Sequence, residues 1–292
     1  MPEIAAATLA VGGASVGASK AMSFQPFVLG TGLPGWNLLN ATLEMQKSAF
    51  NQSRSTLSDS NYFLERFADI NTPDDIVSDR RLMRVVLGAY GLSDDIENRY
   101  FIKTVMAEGV ADPEALANRL ADRRYRALAA DFDFSASSPT HKADPGLSSR
   151  TVENFRNQTF ETEIGKADND MRLALGFSRE LSTVWRAASS NSAAWYQILA
   201  TPPLREVLQT SLGLPSEFVR LDIDDQHSRI QAKAQSVFGT SDIGELAGAA
   251  LADQITQRFL LIRQAGNTSG STSLQTALVL LNAIQMRDDF LN

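Results

Sequence analysis

The amino-acid sequence predicts an all-α protein, and three observations carry that prediction. Apolar residues recur at intervals of three and four: Ala117, Ala121, Tyr125, Leu128 and Phe132 share one helix face, as do Leu82, Val85, Val86, Ala89 and Tyr90. Helix-start chemistry punctuates the chain. Thr72-Pro73-Asp74-Asp75, Ser93-Asp94-Asp95, Asp112-Pro113-Glu114, Thr201-Pro202 and Asp242 with Glu245 supply capping oxygens, early prolines or acids facing the helix dipole. The third observation is a recurring pattern. Leu82, Val85, Gly91 and Leu92 return 122 positions later as Leu204, Val207, Gly213 and Leu214. Gly109, Asp112, Leu116 and Ala117 return after 130 as Gly239, Asp242, Leu246 and Ala247, and Leu120-Ala121-Asp122 after 131 as Leu251-Ala252-Asp253. A growing offset is what a longer loop in a second copy produces, so the chain reads as two related multi-helix units from an internal duplication.

The elements follow in order. Residues 1–21 are rich in Ala, Val and Gly, yet Glu3 stands where an export signal needs positive charge, so this segment reads as a disordered arm. Met22 opens a segment of different character and reads as an alternative start. Residues 22–134 form the first unit. Within it Phe27-Val28-Leu29 is the one strand-like run. Gly30-Thr31-Gly32-Leu33-Pro34-Gly35 has the spacing of a dinucleotide fingerprint. A phosphate cradle, however, needs flanking parallel strands, and more helices follow, so these glycines read as a turn into a helix anchored by Trp36. Gly91 and Gly213 read as left-handed caps ending the helices that carry Leu82 and Leu204. Polar residues 135–149 read as the linker, residues 150–264 as the second unit, and residues 265–292 as a polar break with an amphipathic helix. In that last helix Leu274, Ala277, Leu281, Ile284 and Leu291 fall on a heptad seam interrupted by Asp288. The seam reads first as a tail docked on its own domain and second as a partner helix.

Composition narrows the function. With 43% hydrophobic and 21% charged residues and no long apolar run, the 292-residue chain reads as globular and soluble, without a transmembrane segment. A net charge of -7 argues against nucleic acid as the partner, because phosphate binding draws on clustered Lys and Arg. The absence of cysteine removes disulfides, thiolate nucleophiles and sulfur-ligated metal. His141, in the linker, and His227, in a charged helical segment, read as surface residues with neither metal spacing nor a nucleophile beside them. Asp222, Asp224 and Asp225 read as a helix start and lack the alternation of a calcium loop. Trp185, Trp195 and Tyr196 read as core aromatics. The expectation is therefore no catalytic residue, no cofactor and no metal.

The segment SDRRLMRVVLGAYGLSDDIENRYFIKTVMAEG (Ser78 to Gly109) and DPEALANRLADRRYRALAADFDF (Asp112 to Phe134) resemble an alphaproteobacterial family catalogued as domain of unknown function twelve-seventeen. MSFQPFVLGTGLPGWNLLNATLEMQKSAF from Met22 is similar to that family's opening, and DMRLALGF, AAWYQILATPPLREVLQTSLGLPSEF and FGTSDIGELA to its second half, so the resemblance spans most of Met22 to about Arg263. It implies an all-helical protein whose genes lie among flagellar genes, with no known enzymatic activity and no assigned functional residues. The function expected is a non-enzymatic helical protein of the bacterial flagellum, acting on flagellar or motor-associated proteins through protein contacts in assembly, regulation or motor structure. An exported axial component would pair heptads at both chain ends, and only the C-terminal end offers them. A cytoplasmic or motor-proximal place is therefore favoured over export through the flagellar apparatus. The alternative is a small-ligand-binding protein or enzyme with a cleft between the two units.

Overall fold

Capping side chains set where seven of the fifteen described α-helices begin. The computed structural model describes residues 24–135 and 140–267; the predicted arm at residues 1–21 and the seam of Leu274, Ala277, Leu281, Ile284 and Leu291 lie outside them. Among the described residues every regular element is helical, and none is a strand. The chain opens with α1 (Gly32–Asn51), α2 (Arg54–Arg66), α3 (Pro73–Val77), α4 (Arg80–Ala89) and α5 (Arg99–Glu108). Next come α6 (Leu116–Arg119), α7 (Arg123–Asp131), α8 (Thr140–Ala143), α9 (Leu147–Ala167) and α10 (Asn169–Ala187). It continues through α11 (Asn191–Leu199), α12 (Pro202–Ser211), α13 (Ile223–Phe238), α14 (Ile243–Leu246) and α15 (Ala249–Asn267). Thr72 and Asp75 form a reciprocal capping box on α3, and Asp79, Asp122, Asp168, Ser190, Asp222 and Asp242 each accept backbone N–H bonds at the start of α4, α7, α10, α11, α13 and α14.

Several expected starts behave differently. Ser93-Asp94-Asp95 opens only a 3-10 turn, and Asp112 accepts from the Glu114 N–H to close a turn, so the helix waits until Leu116. Thr201 precedes α12 without capping it, because its hydroxyl donates to the Gln197 carbonyl at 2.8 Å. The stripe from Ala117 to Phe132 is not one helix: Leu120 leaves helical geometry and Asp122 caps a fresh start. Its counterpart Asp253 sits inside α15, so this pair of matching triplets occupies different structural positions.

Gly91 (φ +68°) and Gly213 (φ +67°) lie just past the ends of α4 and α12. Both helices close with the same pair of bonds, Leu92 N–H to Leu87 O at 2.8 Å with Gly91 N–H to Gly88 O, and Leu214 N–H to Gln209 O at 2.9 Å with Gly213 N–H to Thr210 O. That six-to-one closure needs a residue at positive φ, which glycine supplies without a Cβ clash.

Packing gathers these helices around two apolar cores. The first contains Phe63, Ile76, Val85, Val86, Ile102 and Phe132 from α2 to the end of α7, with Leu147, Val152 and Phe155 from the front of α9. The second contains Phe177, Trp195, Leu208 and Phe259 from α10 to α15, with Phe160 and Ile164 from the back of α9. At 100° per residue these two sets point to opposite sides of α9, about half a turn apart, so one helix serves both cores. α1 also departs from expectation: Trp36, Leu39 and Phe50 bury themselves in the second core, although α1 falls within the first unit, residues 22–134, in sequence. Residues 140–149 are more than a linker, since α8 packs on α7 and Leu147 enters the first core.

Backbone conformation and local space separate two glycines. A Cβ at Gly213 would meet nothing within 4 Å, so Gly213→Ala costs only the left-handed backbone, about 1 kcal/mol. At Gly109 (φ +64°, ψ -147°) a Cβ would stand 2.2 Å from Asp133 Oδ1. Gly109→Ala is therefore expected to destabilise the protein by about 2 kcal/mol or more. Denaturant unfolding of the two variants checks the order, and equal losses would contradict it.

Candidate functional site

An open groove of about 680 Å³ runs where α1, α2 and α9 meet, at the junction of the two cores. Its apolar lining is Leu57 and Leu64, each a little over two-fifths exposed, and the buried Val152. The two leucines are seven positions apart, hence on one face of α2 two turns along. Glu44, Lys47, Glu153 and Arg156 rim the groove with both signs of charge. Arg156 also ties α9 to α2 by donating from Nε to Ser60 Oγ at 3.1 Å. Such a trough, apolar below and charged at its edges, can receive the apolar stripe of a helix. The sequence signal was present as a leucine repeat in α2 but was hidden among Ser, Asp and Asn.

Beside this groove α9 and α10 meet through a buried ion pair. Arg179 on α10 donates to both oxygens of the buried Glu161 on α9, at 2.9 and 2.8 Å. Burial pushes the Glu161 carboxyl above its usual range, against the pull of Arg179. Burial likewise raises the neighbouring Glu180 carboxyl, and the negative charge of Glu161 adds to the rise. Arg124 from α7 chelates Asp122 and donates to the carbonyl of Gly91, which brings the α4 terminus to the same seam. A small void between α9, α10 and α12, lined by Glu161, Arg172, Gly176, Glu180, Pro203 and Leu204, measures about 10 Å³, room for a single water at most.

A second open cleft, of about 490 Å³, lies between α2, α3 and the start of α4. Its charges are already committed. Arg66 pairs with Asp69 at 3.3 Å and Arg80 with Glu97 at 2.7 Å. Asp79 caps α4 and accepts from the Tyr62 hydroxyl at 2.5 Å, while Arg81 holds Asp59 at 3.1 Å and lies over the Tyr62 ring. No group of three His, Asp or Glu among the described residues is placed to hold a metal ion.

Both histidines have partners that their sequence settings did not reveal. His141 is fully buried, not a surface residue: its ring stacks on Phe132, meets Phe67 edge-on and lies tilted against Phe134, and its Nε2 lies 3.0 Å from the Ile70 carbonyl, which makes Nε2 the protonated nitrogen. Burial lowers its basicity. His227 is partly exposed and stacks on Tyr196 with ring centres 4.3 Å apart. The Tyr196 hydroxyl donates to Asp224 at 2.6 Å. Ser192 Oγ stands 3.1 Å from His227 Nε2, a nucleophile-and-base contact across α11 and α13. Gln231 meets the same nitrogen at 3.1 Å, and no carboxylate among the described residues holds the other side of the ring, the feature that orients a catalytic imidazole. Of the three aromatics expected in the core, only Trp195 is buried, donating to the Ser241 carbonyl; Trp185 and Tyr196 are each more than one-third exposed.

The fold and its surfaces define a two-core, all-helical protein with an open groove at the junction. The chain belongs to the family described as Protein of unknown function (DUF1217), whose model matches residues 89–247. It is also similar to the crystal structure of a protein from Agrobacterium tumefaciens, at 26% identity and a TM-score of 0.66, covering 83% of this chain and 98% of that one. No curated protein matches it. Among the described residues no helix is long and apolar enough to cross a membrane.

The buried imidazole carries a pH dependence with a definite sign. Its folded value lies below the ordinary 6.5, so on acidification the unfolded chain takes up a proton that the native ring refuses. Stability from this group is complete above 6.5 and declines as pH falls through the folded value. His141→Phe removes that pH-dependent contribution and leaves the Ile70 carbonyl without its donor, at a cost of about 1–2 kcal/mol. Thermal melts near pH 7 and near pH 5 should show a larger acid loss in the parent than in the variant. Equal losses would contradict the assignment.

Proposed function

We propose that this chain is a non-enzymatic helical protein of the bacterial flagellum, acting through contacts with flagellar or motor-associated proteins in assembly, regulation or motor structure. The groove between α1, α2 and α9 is the observation that carries the contact: it exposes Leu57 and Leu64 to solvent in a trough shaped for an amphipathic helix. The flagellar setting rests on the sequence resemblance of Ser78 to Phe134 and the segments around it. A cytoplasmic or motor-proximal place suits the contact better than incorporation into an axial structure.

Leu57 and Leu64 are exposed enough to change without opening a core. Leu57→Glu with Leu64→Glu should leave the melting midpoint within a few degrees of the parent, remove crosslinks to the partner in motile cells and impair swimming. If deletion of the whole gene leaves filament number, swimming and flagellar protein export normal, the flagellar reading fails. If the double variant keeps every crosslink while the deletion is non-motile, the groove is the wrong surface.

A further inference from the structure

Exposed apolar side chains gather along one side of α1. Phe27 and Leu29, on the extended residues before α1, are 42% and 58% exposed, and Leu38 and Met45 on α1 are 41% and 64% exposed. The extended residues fold back on the helix: the Phe27 N–H donates to Gln46 Oε1 at 2.9 Å, and Gln46 Nε2 donates to the Phe27 carbonyl at 3.3 Å. Leu38, the exposed Ala41 and Met45 form a stripe at alternating three and four spacing, which continues as exposed Ser48 and Gln52. The stripe is thus apolar for three positions and polar for the next two.

The chain beyond residue 267 departs from the same end of α1. α15 packs against α1, and the Gln264 side chain lies so close to Gly32 that a Cβ there would stand 2.1 Å from its Oε1. Residues 268–273 then lead to Leu274; extended, they span about 20 Å, enough to reach any side of a helix about 10 Å across. The seam of Leu274, Ala277, Leu281 and Ile284 has the same spacing as the α1 stripe and turns polar at Asp288. Laid parallel to α1 with Leu274 beside Leu38, it sets Ala277 by Ala41, Leu281 by Met45, Ile284 by Ser48 and Asp288 by Gln52. Small meets small, and the one polar seam position falls where the stripe itself becomes polar. Asp288 and Asp289 then arrive at Arg54, an exposed cation that enters none of the ion pairs among the described residues.

We infer that residues 274–291 form a helix that docks in cis, parallel to α1, on the Leu38–Ala41–Met45 stripe beside Phe27 and Leu29, with Asp288 and Asp289 facing Arg54. This surface shares Ser48 and Gln52 with the α1 wall of the groove but leaves Leu57 and Leu64 uncovered, and it does not depend on the flagellar reading.

The chain contains no cysteine, so engineered pairs report cleanly. In the full-length protein, Met45→Cys with Leu281→Cys should form an intramolecular disulfide about tenfold faster than Met45→Cys with Leu274→Cys, whose second site lies about 10 Å along the helix. Equal rates would overturn the register. Disulfides formed only between chains, with rates that scale with protein concentration, would place the helix on a second copy and overturn docking in cis. Amide exchange on the unmodified chain gives an independent reading: slowed exchange across residues 278–285 is expected, and exchange at the rate of an unstructured peptide would overturn the proposal. Arg54→Glu should slow the first crosslink, and adding Asp288→Arg and Asp289→Arg should restore it.

Discussion

One helix carries the architecture. α9 places Phe155 in the first core and Phe160 in the second, and its apolar face swings about half a turn around the axis between them. With 21 residues it is about 30 Å long, enough to cross both cores. Its partners approach closely: a Cβ on Gly88 of α4 would stand 2.7 Å from the Phe155 ring, so that position admits only glycine without a shift of the ring. On the other flank, Glu161 of α9 is held by Arg179 of α10. A buried ion pair of this kind contributes little net stability over an apolar pair, but loss of either partner leaves a charge stranded. The contact between cores is therefore particular in register as well as extensive.

Much of the fold was legible because capping is local chemistry. Thr72 with Asp75, Asp242 with the Glu245 N–H, and the glycines at 91 and 213 act through atoms within six residues, so their sequence neighbourhood contains the whole interaction. What was not legible depends on partners far along the chain. α9 has no steady apolar stripe, since its two halves face opposite ways, and a search for one helical period sees the halves cancel. α1 looked like part of the first unit because its residues are contiguous with it in sequence, but it packs against α10 and α15. His141 sits among Ser, Thr, Lys and Asp in sequence and among Phe67, Phe132 and Phe134 in space. The stripe from Ala117 to Phe132 kept helical spacing across a break, which only the capping oxygen of Asp122 betrays.

The candidate site shows the same division. The Ser192–His227 contact spans 35 positions and could not be read locally. Leu57 and Leu64 were readable in principle as a seven-residue repeat, yet a pair of leucines on a polar helix gains meaning only when α1 and α9 supply the walls. Function inherits this limit. What the junction offers depends on such distant partners too: an outward-facing trough walled by α1, α2 and α9.

The central claim is that α9 couples the two cores into one cooperative body. Native-state amide exchange across a denaturant series tests it directly, by comparing the opening free energies of the buried amides in α4, in the first core, and α12, in the second. The account predicts that both converge on one global unfolding free energy with the same denaturant dependence. Opening of α4 at clearly lower free energy while α12 stays protected would show two independent domains and contradict it.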